Sequence, residues 1–177
     1  MRYAVFLRGV NLGGSRALAM ADLRRALESL GYTGVATHLR SGNAVITTDD
    51  EDPDRVAATI HEALAAEVGL RSAVLVRTGP ELAAVIKANP FPEHESEPAK
   101  LHVAFLSAQP STKAFAALDL GRYAPDEARL GDRAIYLWFP NGAGRSKLGI
   151  PRLATMGVEA TARNWNTVLA LAAKTSP

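Results

Sequence analysis

None of the 177 residues is a cysteine. That absence removes a disulfide framework, a thiolate nucleophile and any cysteine metal site. No apolar run approaches the roughly 20 residues that span a bilayer, so no membrane association is expected. Arg8 and its neighbouring glycines interrupt the first apolar stretch too early for a signal peptide. A cytoplasmic chain is the expectation. His38, His61, His94 and His102 are scattered without ligand spacing, and no metal site is expected from them. No serine sits in a nucleophile elbow. The acidic stretch from Asp49 to Asp54 lacks the glycine and spaced ligands of an EF-hand loop. Aromatic residues make up only 6% of the chain, which argues against a stacking platform for single-stranded nucleic acid. No motif asks for a cofactor.

What is present is the composition of an ordinary globule, 47% apolar and 21% charged. The length suits one compact domain or two small ones sharing a core. Net charge is only +2, so the local pattern carries the information. From Arg133 onward, Arg133, Arg145, Lys147, Arg152, Arg163 and Lys174 face a single acid, Glu159. Asp49-Asp50-Glu51-Asp52 with Asp54 is the reverse case.

Tyr3 to Leu7 reads as a buried strand, and Met20, Leu23, Leu27 and Leu30 recur at helical spacing before Gly31. Val35–Leu39 and Ala44–Thr48 read as two strands, joined by a hairpin turn at Arg40-Ser41-Gly42-Asn43. Asp52 is placed to cap a helix with Pro53 at its first position, Val56, Ile60, Leu64 and Val68 as its buried face and Gly69 as its stop. Ala73 to Val76 makes a fourth strand. A trailing helix follows with Leu82, Val85 and Ile86, ended by Asn89-Pro90. Phe91 to Pro98 is a polar, proline-bounded stretch.

The order then restarts with a strand at Leu101–Leu106, a helix at Ser111–Leu118 and a weak strand at Tyr123–Leu130. A turn at Gly131-Asp132 leads to a strong strand at Ala134–Phe139, then helical pieces near Pro151–Met156 and Arg163–Lys174. The predicted fold is α+β, with two ferredoxin-like β-α-β-β-α-(β) halves in tandem, the second incomplete for want of a final strand. The predicted division is residues 1–90 with the trailing helix, a linker at 91–100, and 101–177. In such a half the first and second strands run parallel, with the third between them. The loop after strand one and the hairpin after strand two then share one end, which brings Arg8, Asn11, Arg40 and Asn43 together and leaves the acidic turn at the other.

Three segments are candidates for anion contact. Phe6-Leu7-Arg8-Gly9-Val10-Asn11-Leu12-Gly13-Gly14 turns on three glycines. Its spacing fits neither G-x-G-x-x-G nor the P-loop. It suits a general nest of backbone N–H groups, and equally a tight turn. Asn141-Gly142-Ala143-Gly144-Arg145-Ser146-Lys147-Leu148 follows a strand with two glycines ahead of Arg145 and Lys147. In Thr161-Ala162-Arg163-Asn164-Trp165-Asn166-Thr167, Thr161 is placed to cap a terminal helix. At about 100° per residue, Trp165, Val168, Leu169 and Ala172 share its core face, while Arg163, Asn166 and Thr167 face outward. The helix dipole there favours an anion.

These segments, with Met20-Ala21-Asp22-Leu23-Arg24 and Arg40-Ser41-Gly42-Asn43, resemble the bacterial domain-of-unknown-function family 1697 along nearly the whole chain. The resemblance implies no catalytic residues, because the family's function is unassigned. Members often carry a lysine after the paired glycines, where this chain has Ser15-Arg16.

The functional expectation is an anion-binding protein that contacts phosphate of a nucleotide or nucleic acid. Its candidate residues are Arg8, Asn11, Gly13, Gly14, Arg40, Asn43, Arg145, Lys147, Arg163 and Asn166. One alternative is an enzyme acting on a small phosphorylated or carboxylated metabolite, with His38 and His102 as the nearest acid–base groups. The other is a structural or partner-binding protein with no small-molecule site. Oligomeric state is not legible.

Overall fold

The computed structural model describes residues 1–10 and 18–176. Asn11, Gly13 and Gly14 therefore lie outside the described residues. The chain divides into two compact units, Met1–Leu82 together with Leu171–Pro177, and Ala83–Ala170. Among the described residues, no helix is long and apolar enough to cross a membrane.

The first unit contains β1 (Arg2–Leu7), α1 (Met20–Ser29), β2 (Thr33–His38), β3 (Asn43–Thr47), α2 (Pro53–Val68) and β4 (Val74–Thr78), and α3 (Gly79–Lys87) starts directly after it. Its sheet has the order β2-β3-β1-β4, with every pair antiparallel. Alternation assigns the faces. Tyr3, Val5, Leu7, Ala44 and Ile46 pack with Leu23 and Leu27 of α1 and Val56, Ile60 and Leu64 of α2. Each valine, leucine or isoleucine among them, fully buried, contributes about 1.5–3 kcal/mol. The expected start and stop of α2 are both present. Asp52 accepts from the backbone N–H of Asp54 and Arg55, Pro53 opens the helix, and Gly69 closes it in the left-handed region.

The second unit contains β5 (Leu101–Leu106), α4 (Thr112–Ala116), β6 (Glu127–Leu130), β7 (Ala134–Trp138), α5 (Ile150–Leu153) and β8 (Ala160–Asn164), and α6 (Trp165–Thr175) follows at once. Its sheet order is β6-β7-β5-β8, again antiparallel throughout. Ala104, Leu106, Ile135 and Leu137 pack with Leu118, Leu148, Leu153 and Met156.

The two sheets repeat each other in register as well as in order. Phe6 lies opposite Asn43 and Leu75, and Phe105 opposite Ala134 and Thr161. Ala4 faces Arg77 where Val103 faces Arg163. Each closing strand runs straight into a capped helix. Thr78 and Glu81 bond reciprocally at the start of α3, and Asn164 accepts from the Thr167 N–H at 3.0 Å at the start of α6.

This arrangement corrects three expectations. The second half has its fourth strand, β8, in the segment read as a helix start. Ala160-Thr161-Ala162-Arg163-Asn164 lacks a β-branched apolar pattern, and its extended form comes from pairing with β5. Asn164, not Thr161, caps α6. Leu169 is 41% exposed and Leu171 is buried in its stead, on one stripe with Val168, Ala172 and Thr175.

Residues 92–94 form a short 3-10 turn. Phe91 is buried, and the His94 ring stacks on Trp138 at 3.7 Å within the second unit.

Candidate anion-binding site

In the first unit, β1 and β2 both pair antiparallel with β3, so the loop after β1 and the β2–β3 hairpin share one end. The Leu7 N–H donates to the Gly42 carbonyl at 2.8 Å and the Arg8 N–H to the Ala73 carbonyl at 3.0 Å. The Ser72 hydroxyl, itself buried, donates to the Arg8 carbonyl at 2.6 Å. His61 Nδ1 lies 2.7 Å from the Ser72 carbonyl; a carbonyl only accepts, so this nitrogen carries the proton. Arg8 is thus half-buried on a backbone pinned from both sides, while Arg40 is exposed at the hairpin tip. Asn43 is not at the tip. It starts β3, is fully buried, and donates to the His38 carbonyl at 3.1 Å and Ser41 Oγ at 2.8 Å. Its amide holds the hairpin together. His38 stands opposite Asn43, and burial, then Lys174, pushes its imidazole below the ordinary value.

The acidic turn lies at the other end of this sheet, where the Thr48 N–H donates to the Met1 carbonyl. Two of its carboxylates are engaged locally. Arg55 grips Asp50 through Nε at 2.7 Å and Nη2 at 2.5 Å, which holds the Asp50 carboxyl below its usual value, and Asp52 serves as the helix cap.

In the second unit, the corresponding open end of the β6–β7 hairpin carries a cavity of about 350 Å³. Residues 122–126, leading into β6, form one wall. Asn141, Arg145, Ser146 and Lys147, from the loop after β7, form the other. That loop is fixed by its neighbours. The Phe139 N–H donates to the Lys100 carbonyl at 3.0 Å, the Gly142 N–H to the Phe139 carbonyl at 2.9 Å, and Leu148 is fully buried. Gly142 has φ 86°, which a side chain would disfavour. Ser146 Oγ accepts from the Leu148 N–H at 2.9 Å and keeps its own proton available. Arg122 pairs with Asp119 at 2.6 Å. Arg145 and Lys147 are exposed, and neither makes an ion pair among the described residues.

Arg163 does not belong to a surface site. It lies in β8 and is 7% exposed, with Nη1 donating to Thr161 Oγ1 at 2.7 Å and to the Ala162 carbonyl at 2.8 Å. Burial lowers its pKa to about 10. Arg77, at the same register of the first sheet, is 5% exposed and likewise donates to the preceding carbonyl at 2.8 Å. A buried arginine at both positions marks a scaffold feature of the repeat. Asn166 is exposed on α6, and Thr167, expected outward, is buried. His102, on β5, is held below its ordinary value by burial and lies edge-on to Phe139 at 5.3 Å. Neither His38 nor His102 lines the cavity.

The model of a family of proteins of unknown function, DUF1697, matches residues 1–136. The chain belongs to the DUF1697 family. A solved structure of a conserved bacterial protein from Streptococcus pneumoniae is similar, with a TM-score of 0.76 at 19% identity over 99% of this chain and 98% of that one. At that identity the likeness is one of fold. No curated protein matches the chain.

The DUF1697 match ends within β7, so the Asn141–Leu148 loop and the Thr161–Thr167 segment lie beyond it. Inside this DUF1697 chain the repeat supplies its own control. The Ser107 N–H donates to the Glu159 carbonyl and the Leu106 N–H to the Arg133 carbonyl, both at 2.9 Å, as Arg8 and Leu7 do in the first unit. The same backbone bonds thus form with serine in place of Arg8 and with a neighbouring glutamate. The scaffold does not require arginine there. Arg122, Tyr123 and Asp126 were missed from sequence. Their signal is positional, because the residues leading into β6 must lie opposite those leaving β7.

Proposed function

We propose that the chain binds a phosphate-bearing anion, of a nucleotide or nucleic acid, in the cavity between residues 122–126 and 141–147. The proposal includes two ferredoxin-like halves, residues 1–90 and 101–177, joined by 91–100, in a protein of the cytoplasm. The observation that carries the reading is the pair Arg145 and Lys147. Both line one cavity with Asn141 and Ser146, and neither is ion-paired with a described acid. Charges that the fold does not use are available to a ligand. Arg8 and Arg40 form a second basic end in the first unit, for which the same class of ligand is proposed.

The test is a thermal-shift titration with inorganic phosphate and with nucleotides at low salt. A ligand at about a hundred times its Kd stabilises by about 2.7 kcal/mol, and about 2–4 °C accompanies each kcal/mol in a chain of this size. A rise of about 5–11 °C is expected at that saturation. Arg145→Ala with Lys147→Ala should abolish the rise while leaving the unliganded melting temperature within about 2 °C, because exposed unpaired side chains contribute little to stability. No shift with any of these anions refutes the reading.

A further inference from the structure

We infer that the cavity's ligand is a small phosphomonoester carried on a hydroxylated ring, rather than an internal phosphodiester of a polymer. This rests on the anion reading above and adds three observations to it.

The first is charge. Arg122 is already paired with Asp119, which leaves Arg145 and Lys147 as two unspent cations. A phosphomonoester carries about −1.5 to −2 at neutral pH and matches both, whereas an internal phosphodiester carries a single charge. The second is the asymmetry of the walls. Arg145, Ser146 and Lys147 supply charge-assisted donors on one side; Tyr123 and Pro125 offer a ring and an apolar surface on the other, with Asp126 beside them. A carboxylate repels phosphate and accepts from hydroxyl or amino groups. Phosphate therefore belongs on the 145–147 wall and the ring on the 123–126 wall. The third is size, since about 350 Å³ falls within the roughly 300–1,000 Å³ of small-molecule sites. That is far more than one phosphate group fills.

The first unit shows that the repeat does not impose this chemistry. Its own hairpin has Asp50 at the equivalent open end, gripped by Arg55, with the Tyr3 hydroxyl donating to the Asp50 carbonyl at 3.2 Å. There Arg55 is neutralised by an acid of its own unit. In the second unit the same position of the fold keeps two cations for something else.

The experiment is isothermal titration of the full chain at one low ionic strength with four probes. These are a nucleoside monophosphate, a hexose monophosphate, inorganic phosphate, and a short oligonucleotide without terminal phosphate. At least one ring-bearing monoester should bind about tenfold more tightly than inorganic phosphate, within the range of a ring stacked on an aromatic side chain. The stronger of the two monoesters identifies the ring. Tyr123→Leu should remove that advantage while leaving phosphate binding in place. Because Tyr123 also packs partly on the apolar cluster, Asp126→Asn provides a second variant, which should weaken the monoester and leave inorganic phosphate no weaker. Monoesters that bind no better than phosphate overturn the inference and leave the anion reading standing, as does an oligonucleotide that binds as tightly as they do. Binding of none of the four overturns both.

Discussion

Replacing Gly42 by alanine tests whether the β2–β3 hairpin rests on the loop after β1. Gly42 has φ +74°, and an added Cβ would lie 2.3 Å from Val10 Cγ2 and 2.9 Å from Leu7 Cβ. Two costs add here. A residue with a Cβ held in the left-handed region loses about 1–2 kcal/mol, and overpacking a filled interior costs about 1–3 kcal/mol more. Gly69 separates the two effects, because its φ is +67° and nothing lies within 4 Å of its added Cβ. Gly69→Ala should therefore cost about 1–2 kcal/mol, and Gly42→Ala about 2–5 kcal/mol. In melting temperature these are falls of about 2–8 °C and about 4–20 °C. Thermal and urea unfolding followed by far-UV circular dichroism would measure both. Equal destabilisation by the two substitutions would refute the reasoning, since Gly42 would then not be seated on Leu7 and Val10. Arg8 and Arg40 would lose the contact that brings their loops to one end.

Two further outcomes follow from buried or capping groups. Burial raises the Tyr136 hydroxyl to about 12 from its ordinary 10.0, and the hydroxyl donates to the Val85 carbonyl at 2.8 Å. The folded state thus holds this proton more tightly than the unfolded chain. Its contribution is complete below pH 10 and is lost as pH rises toward 12, a fall of about 2.7 kcal/mol. Tyr136→Phe should cost about 1–3 kcal/mol at pH 8 and flatten the alkaline decline; an unchanged decline in stability against pH would sink this assignment. Asp52→Ala removes the acceptor for the Asp54 and Arg55 N–H groups and should cost about 0.5–2 kcal/mol. Asp52→Asn, which keeps an acceptor oxygen, should recover most of it, and failure to do so in urea unfolding would count against the cap.

Much of the element order was legible because local signals agree along it. Asp52-Pro53 and Gly69 bound α2 where capping and left-handed geometry require them. The strand Tyr3–Leu7 alternates between two buried faces. The short apolar run at β7 was equally plain. What failed was β8, whose residues have weak strand propensity and are extended only because β5 supplies hydrogen-bond partners. Arg163 was misplaced with it. A residue two positions before an apolar helical pattern reads as a helix start, and nothing local distinguishes that from the end of an edge strand.

The sequence by itself determined the boundaries of α2, the polarity of each loop and the shared end of the first unit, since each follows from neighbours in the chain or from strand order. Only the tertiary structure decided which arginines are spent. Arg77 and Arg163 are buried with bonds to backbone carbonyls, Arg55 is committed to Asp50, and Arg122 to Asp119. Arg145 and Lys147 remain on a cavity wall. Charge is written in the sequence, but whether it is neutralised depends on which residues the fold brings within hydrogen-bond reach. Long-range strand pairing sets that, and no local pattern encodes it.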